Sequence, residues 1–380
     1  MPKNSKNTKG NLNDYLAKIK VVGVGGGGGN AISRMRDDMQ LKGVEFIAIN
    51  TDAQELDQCG AKTKIHIGKN LTRGLGTGMN PEIGRQVAEE NRSDIAENVK
   101  GADLVFITAG LGGGTGSGAS PIVAEAARES GALTIAIVTK PFTFEGAQRN
   151  RIASEALVRL KEKVDAVIVI PNDRIFSVIK KDTPLIKSFE YVDNVLLDAV
   201  RGLSEMIAIP GIINVDFADV KAILKDSGSA LVGIGIAGGQ DRAITAVNNA
   251  INSPLVEISI DGAKGVLLGV AGGRDMRMNE INDMAKSISE RIDSGARIIF
   301  GAYHDRKIKA GQLKVTLIAA GFNGGAVTKG SDMPSTNLFT QNPVDEKLVD
   351  KKKDDAKKEK ASKKDDDIWD IPTFLRKGKK

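Results

Sequence analysis

The chain has 380 residues with 54 basic and 48 acidic side chains, a formal charge of +6, and 41% apolar residues. That length predicts two domains with cores of their own and excludes a wholly disordered chain, while so small a positive balance nominates no specific nucleic acid. One cysteine, Cys59, excludes an internal disulfide, and two histidines, His66 and His304, leave little from which to build a metal cage or a Ser-His-Asp triad.

Residues 1–17 read as a flexible segment without the apolar stretch of a signal peptide. No apolar run approaches the ~18 residues of a membrane helix, so a cytoplasmic location is expected. From 18 to 184, short β-rich runs alternate with helical stretches, and strands are predicted at 19–24, 44–50, 64–68, 103–109, 133–139 and 166–171. Strands this continuously apolar are buried on both faces, which predicts a doubly wound, mostly parallel α/β sheet with its ligand beyond the strands' carboxyl ends. A long amphipathic helix is predicted over 185–211: Ile186, Phe189, Leu196, Val200, Leu203 and Ile207 recur at intervals of three, four or seven until Pro210 and Gly211 stop it. Over 212–325, strands at 229–237, 255–260, 265–271, 296–302 and 313–320, with helices near 240–252 and 278–293, predict a second α/β domain with a mixed sheet. Residues 326–364 read as a charged, disordered linker. Residues 365–380 set Ile368, Trp369, Ile371, Phe374 and Leu375 in a charged stretch, the pattern of a docking peptide on a flexible lead.

Twelve of the 43 glycines fall in two clusters, each at a strand end. The first runs from Gly23 to Gly29 and meets Asn30 at the opening of a helix, where bare backbone N–H groups and the helix dipole can reach phosphate oxygens. Read as G-x-G-x-x-G it is Gly23, Gly25 and Gly28. Asp52 then stands near the position of a ribose-binding acid, so an NAD(P) oxidoreductase is a competing reading. The second cluster, Gly110 to Gly118, follows strand 103–109 and precedes a helix with Pro121 in its first turn. A single dinucleotide has no evident use for a second loop, whereas a triphosphate does. Neither loop ends in Gly-Lys-Ser or Gly-Lys-Thr, so backbone amides, the hydroxyls of Thr115 and Ser117, a helix dipole and Mg²⁺ would balance the charge.

GGGTGSG at 112–118 matches the tubulin signature loop. With GGGGGN (25–30), NTDAQ (50–54), TRGLGTGMNP (72–81), TKPFTFEG (139–146), IPND (170–173) and NVDFADV (214–220), the chain resembles the tubulin/FtsZ family of bacterial division GTPases from about residue 19 to 322. The resemblance implies a tubulin-like fold, GTP and GDP as ligands with Mg²⁺ held through the phosphates, and GTP hydrolysis. It also implies head-to-tail assembly into filaments of the division ring (Z ring) at mid-cell. Nucleotide contacts are implied at Gly26, Gly27, Gly28, Gly29 and Asn30, at Gly112, Gly113, Gly114, Thr115, Gly116 and Ser117, and at Thr139 and Pro141.

The resemblance sets guanine near Asn30, Phe189 and Asp193, because a carboxylate accepts from guanine N1–H and N2–H₂ together and an aromatic ring stacks on the base. Without it, Phe189 reads as core and Asp193 as a solvated acid of a helix's first turn. Glu145 and Arg149, four apart on a predicted helix, either form an ordinary ion pair or, as the resemblance implies, lie near ribose and phosphates. Asn50, Asp52 and Asn172 would complete the polar lining. In NVDFADV, Asp216 and Asp219 either cap and charge a helix start or, by the resemblance, enter the next subunit's pocket to polarise the attacking water, with Asn214 helping to place it. The resemblance further implies that the peptide Asp370, Ile371, Pro372, Phe374, Leu375 and Arg376 binds membrane-tethering and regulatory division proteins of the FtsA and ZipA type; with only three lysines in residues 377–380, direct membrane insertion is not expected. A nucleotide-gated assembly protein that does not hydrolyse is a further rival, separated from this reading by turnover alone.

Overall fold

The computed structural model describes residues 17–38, 43–180, 182–253, 259–305 and 307–322, and the statements below concern these. Nearly all of segment 1–17, most of the predicted strand at 255–260, the linker at 326–364 and the peptide at 365–380 with its named residues lie outside them.

The first half runs β1 (Ile19–Val24), α1 (Gly25–Asp38), β2 (Val44–Asn50), α2 (Ala53–Gln58), β3 (Thr63–His66), α3 (Lys69–Thr72), α4 (Pro81–Glu90), α5 (Arg92–Val99), β4 (Leu104–Gly110), α6 (Gly114–Glu129), β5 (Leu133–Lys140), α7 (Ala147–Lys161) and β6 (Ala166–Pro171). Its strands are parallel in the order β3-β2-β1-β4-β5-β6. That order reverses between β1 and β4, which opens a crevice beyond their carboxyl ends. Each glycine cluster follows one of those two strands.

Alternate residues feed opposite layers. Val21 and Phe106 pack with Ala31, Ile32 and Met35 of α1, whereas Val22 and Ile107 pack with Val87, Ile95 and Val123 of α4, α5 and α6. Burial on both faces is why these strands are so continuously apolar. The long helix, α8 (Leu185–Ala208), lies on the α1 side with Leu196, Leu197, Val200 and Leu203 in the core. Its 24 residues span about 36 Å.

The second half continues with α9 (Phe217–Leu224), β7 (Gly228–Gly238), α10 (Arg242–Ile251), β8 (Gly265–Gly272), α11 (Met278–Ser289), β9 (Arg297–His304) and β10 (Gln312–Ala320). Its sheet is mixed: β10 is antiparallel to β7 and β8, and β8 is parallel to β9. One face joins the α8 core through Val232, Leu267 and Ile318, and the other is covered by Val247, Met284 and Ile288 of α10 and α11. β7 also pairs with β6 at Ala166↔Gly228, Val167↔Ser229 and Ile168↔Ala230, so the described strands of both halves form one sheet.

Several boundaries differ from the sequence expectation for physical reasons. α1 and α6 begin inside the glycine clusters, at Gly25 and Gly114, not after them. Glycine is a poor helix former, but here tertiary contact overrides propensity. A Cβ on Gly28 would collide with the carbonyl of Thr108, and one on Gly118 would strike Pro81 O and lie 2.6 Å from Arg85 N, where α4 crosses α6. Pro121 therefore stands about two turns inside α6. Glu145 lies in a 3₁₀ turn, Thr143–Glu145, and Gly146 at φ +100° separates it from α7.

The contact at Gly118 is with backbone, which cannot step aside. Gly118→Ala is expected to destabilise the fold by about 2 to 3 kcal/mol, seen as a lower urea midpoint. A midpoint equal to that of the unaltered chain would show that this glycine does not set the α4–α6 approach.

Candidate functional site

The crevice at the β1/β4 reversal is a cavity of about 790 Å³, within the range of pockets that enclose a small ligand. Gly25, Gly26 and Gly27 of α1 and Gly114, Thr115 and Gly116 of α6 line one wall, preceded by Gly113. Two helix N-termini, with unpaired amides and positive dipole ends, therefore converge on it. The loops nearly touch: a Cβ on Gly25 would lie 3.0 Å from Gly116 N, and one on Gly27 3.3 Å from Gly110 N.

Four of the predicted contacts support this wall without lining it. Gly112 turns the chain from β4 into α6 at φ +102°, and its N–H donates to Ser117 Oγ at 2.9 Å. Gly28 packs on β4, and Gly29 O accepts from Ser33 Oγ at 2.9 Å. These residues hold the loops in shape because both helices start earlier than the sequence predicts.

Thr115 belongs to a hydroxyl cluster that sequence reasoning missed. Its Oγ1 is 2.6 Å from Thr51 Oγ1 and 3.4 Å from Thr77 Oγ1, and all three residues line the cavity. Among the described residues no group of three or more His, Cys, Asp or Glu is placed to hold a metal ion. Hydroxyls beside bare amides suit a cation that arrives on phosphates and keeps its waters, as Mg²⁺ does, better than a cage built by the protein alone.

Asn50, Asp52, Thr139, Pro141, Glu145, Arg149 and Asn172 all line the cavity. Asp52 Oδ1 accepts from Gln54 N and Glu55 N at 3.0 Å as the N-cap of α2, a local role for the acid that a dinucleotide enzyme would turn to ribose. Asn50 Nδ2 donates to Glu55 Oε2 at 3.0 Å, which brings in a second carboxylate that sequence reasoning missed. Glu145 accepts from Phe142 N at 2.9 Å and from Arg149 Nη1 at 2.5 Å, so the ion pair and the cavity position coexist. Asn172 is buried and its Oδ1 has no partner in the structure. Buried acceptors are rarely left unmatched, which makes this one available to a ligand donor.

The opposite wall is the start of α8, with Phe189 and Asp193 across from Asn30 and Arg34 of α1. Phe189 is 42% exposed, so it is not core, and it meets Phe142 edge-on with centroids 5.7 Å apart. Asp193 is not a solvated acid. Burial pushes its carboxyl up to about 6, with Glu190 adding to the rise and Arg34, whose Nε is 3.1 Å from Oδ2, opposing it. Arg34 escaped sequence reasoning because no local pattern links α1 to α8.

Asn214, Asp216 and Asp219 are not part of this cavity. They follow the far end of α8, and the helix from Asp193 to Ala208 alone measures about 22 Å. Asp216 occupies the N-cap position of α9 with φ −75° and ψ 141°, yet its side chain caps nothing, and Asp219 is exposed in the first turn. Asn214 Oδ1 accepts from Gly211 N at 2.6 Å and so braces the loop.

Known proteins share this fold. Residues 18–180 match the Tubulin/FtsZ family, GTPase domain, and residues 228–323 match the FtsZ family, C-terminal domain. An empty FtsZ dimer from M. jannaschii is 46% identical over 81% of this chain and 89% of that one, with a TM-score of 0.76. A mutant FtsZ from the same organism is also 46% identical, over 82% and 93%, with a TM-score of 0.77. CetZ2 from Haloferax volcanii, at 22% identity over 80% and 92% with a TM-score of 0.68, shares the fold. The chain belongs to the tubulin/FtsZ family of GTPases, and its second half carries the domain particular to FtsZ. It accordingly binds guanine nucleotide and hydrolyses GTP, which sets aside both the NAD(P) oxidoreductase and the assembly protein without turnover. Among the described residues no helix is long and apolar enough to cross a membrane.

The raised carboxyl of Asp193 has a sign that can be checked. Its folded pKa, about 6, exceeds the ordinary 3.8, so the residue's contribution to stability is greatest below about 4 and is lost as pH rises to 6. Asp193→Asn removes the charge, and above pH 6 its unfolding free energy, read from urea titrations, is expected to exceed that of the unaltered chain by on the order of 1 to 2 kcal/mol. The margin should shrink towards about pH 4. A margin independent of pH would contradict the assignment.

Proposed function

We propose that this chain is a self-assembling GTPase that polymerises head to tail into filaments of a division ring at mid-cell, and that its GTP is hydrolysed where the next subunit's acidic loop completes the site. The observation that carries this reading is the separation of the phosphate-binding cavity from the exposed Asp216 and Asp219 by the length of α8. Each carboxylate lining the cavity is already engaged: Asp52 with α2, Glu55 with Asn50, Glu145 with Arg149, and Asp193 with Arg34. A general base for water is better supplied from outside.

The two ends are unlike surfaces. Leu75, Phe144 and Ile186 are exposed next to or within the cavity lining, and Ile212, 71% exposed, precedes the acidic residues. Contact between unlike faces gives open filaments when rotation does not close a ring. The FtsZ dimer among the similar structures supports such self-association.

In this mechanism the amides at the starts of α1 and α6, with the hydroxyls of Thr51, Thr77 and Thr115, hold the phosphates. Mg²⁺, when bound to those phosphates, neutralises part of their charge. Asp193 exchanges Arg34 for guanine N1–H and N2–H₂, a donor pair that adenine lacks, while Phe189 packs on the base. The next subunit's Asp216 and Asp219 polarise a water in line with the γ-phosphate, and its Asn214 keeps the loop in shape.

Asp216→Ala is expected to bind GTP and sediment as filaments while losing at least ~100-fold in turnover. In the same assay the unaltered chain's turnover per subunit should climb with concentration above a threshold. Hydrolysis by the variant at the unaltered rate, or a specific activity flat on dilution, would refute the shared site.

The peptide Asp370, Ile371, Pro372, Phe374, Leu375 and Arg376 would tie the filament to membrane tethers of the FtsA and ZipA type, its apolar anchors docking in a partner's groove. Deleting residues 365–380 should spare assembly in solution and abolish recruitment to tether-bearing vesicles. Equal recruitment of the truncated chain counts against the docking role.

A further inference from the structure

The acidic loop is seated on β9. Ile212 N and Ile213 N donate to Ala302 O at 2.7 and 3.1 Å, and Ala302 N donates back to Ile213 O at 3.0 Å. Before Ala302, Gly301 leaves space for Val215, since a Cβ there would lie 2.6 Å from Val215 Cγ2. After it, the Tyr303 hydroxyl donates to Glu205 Oε2 at 3.2 Å. Glu205 is on the last turn of α8, from which the loop issues, and its own carbonyl accepts from Ile209 N at 2.9 Å to close that turn.

The same Oε2 accepts from Lys314 Nζ of β10 at 3.2 Å. Strand register explains the convergence. Lys314 stands opposite Ala271 and Ala271 opposite Tyr303, so the lysine and the tyrosine flank one small residue in a row, and the carboxylate reaches both across it. All three polar residues are buried. Burial and the neighbouring carboxylate push the Tyr303 phenol well above its usual range, which keeps it a neutral donor. A buried ion pair is weak evidence for stability, because desolvation offsets its attraction, but it fixes geometry when its remaining bonds are satisfied.

We propose that Glu205, bridged to Tyr303 and Lys314, is a positioning residue for GTP hydrolysis: it locks the end of α8 to the strand that seats the acidic loop, and so sets where Asp216 and Asp219 point. None of the three lines the nucleotide cavity. The proposal rests on the reading of that loop as the catalytic element supplied to the next subunit.

Tyr303→Phe removes one hydroxyl and leaves Glu205 paired with Lys314, while Glu205→Gln removes the charge. Full-length chains carrying each change are assayed for GTP turnover in preformed filaments, with GTP affinity, sedimentation and melting measured on the same samples beside Asp216→Ala. We expect kcat to fall about threefold to tenfold in Tyr303→Phe and further in Glu205→Gln, with KM and GTP affinity held within about twofold and filaments intact. Lys314→Arg, which keeps the charge pair, should retain more turnover than Lys314→Met. Turnover within about twofold of the unaltered chain in Tyr303→Phe and Glu205→Gln, with Asp216→Ala inactive, overturns the positioning role and leaves the loop reading standing. Full turnover in Asp216→Ala overturns the loop reading itself. Parallel loss of GTP affinity, filaments and turnover in Tyr303→Phe also overturns the proposal, since it marks a general structural role.

Discussion

Backbone amides hold a triphosphate only if no side chain stands between the peptide and the phosphate oxygens, and much of the first half of this protein follows from that requirement. With no lysine in either glycine loop, the proposed reading leaves the charge to two helix starts brought side by side at the reversal of strand order. Such proximity leaves no room for side chains at Gly25, whose Cβ would lie 3.0 Å from Gly116 N, at Gly27, 3.3 Å from Gly110 N, or at Gly116, 2.5 Å from Gly110 O. It also needs α6 to lie hard against α4, through Gly84, Gly114 and Gly118. The glycines are therefore packing residues whatever else they contact, and at most of these positions a substitution would disturb the packing as well as any bound nucleotide.

α8 gives that local arrangement a longer reach. Its first turns form a wall of the cavity, its middle is buried against the sheet of both halves, and its last turn delivers the acidic loop. A helix packed on one side along most of its length transmits a displacement of either end better than a loop of equal span. The bonds at each end give it fixed points: Asp193 to Arg34 near the cavity, and Glu205 to Tyr303 and Lys314 near the loop.

Most of the architecture was legible in the sequence because parallel strands buried on both faces leave an uninterrupted apolar signal. The starts of α1 and α6 were not, since glycine's low helix propensity points the wrong way and the contacts that override it come from distant segments. Continuity of the sheet across β6 and β7 was also hidden, because three residue pairs leave no periodic trace. In the site, residues carried by compact motifs could be named from sequence. Thr51 and Thr77 could not, as their hydroxyls meet Thr115 across 64 and 38 residues of chain. The ambiguity over Asp216 was different in kind. Its position reads as an N-cap, and only the observed side chain, which caps nothing, separates a structural acid from one left available.

The placement of cavity and loop at opposite ends of one rod has a consequence for any filament built by joining them. A row of subunits contains as many cavities as loops, but one fewer junction than either, so one terminal nucleotide always lacks its loop. With hydrolysis at the shared site proposed above, that nucleotide would stay intact until another subunit's loop covers it. At the end that presents the open cavity, hydrolysis would then trail growth by one subunit, and that tip would differ chemically from the body with no separate capping factor.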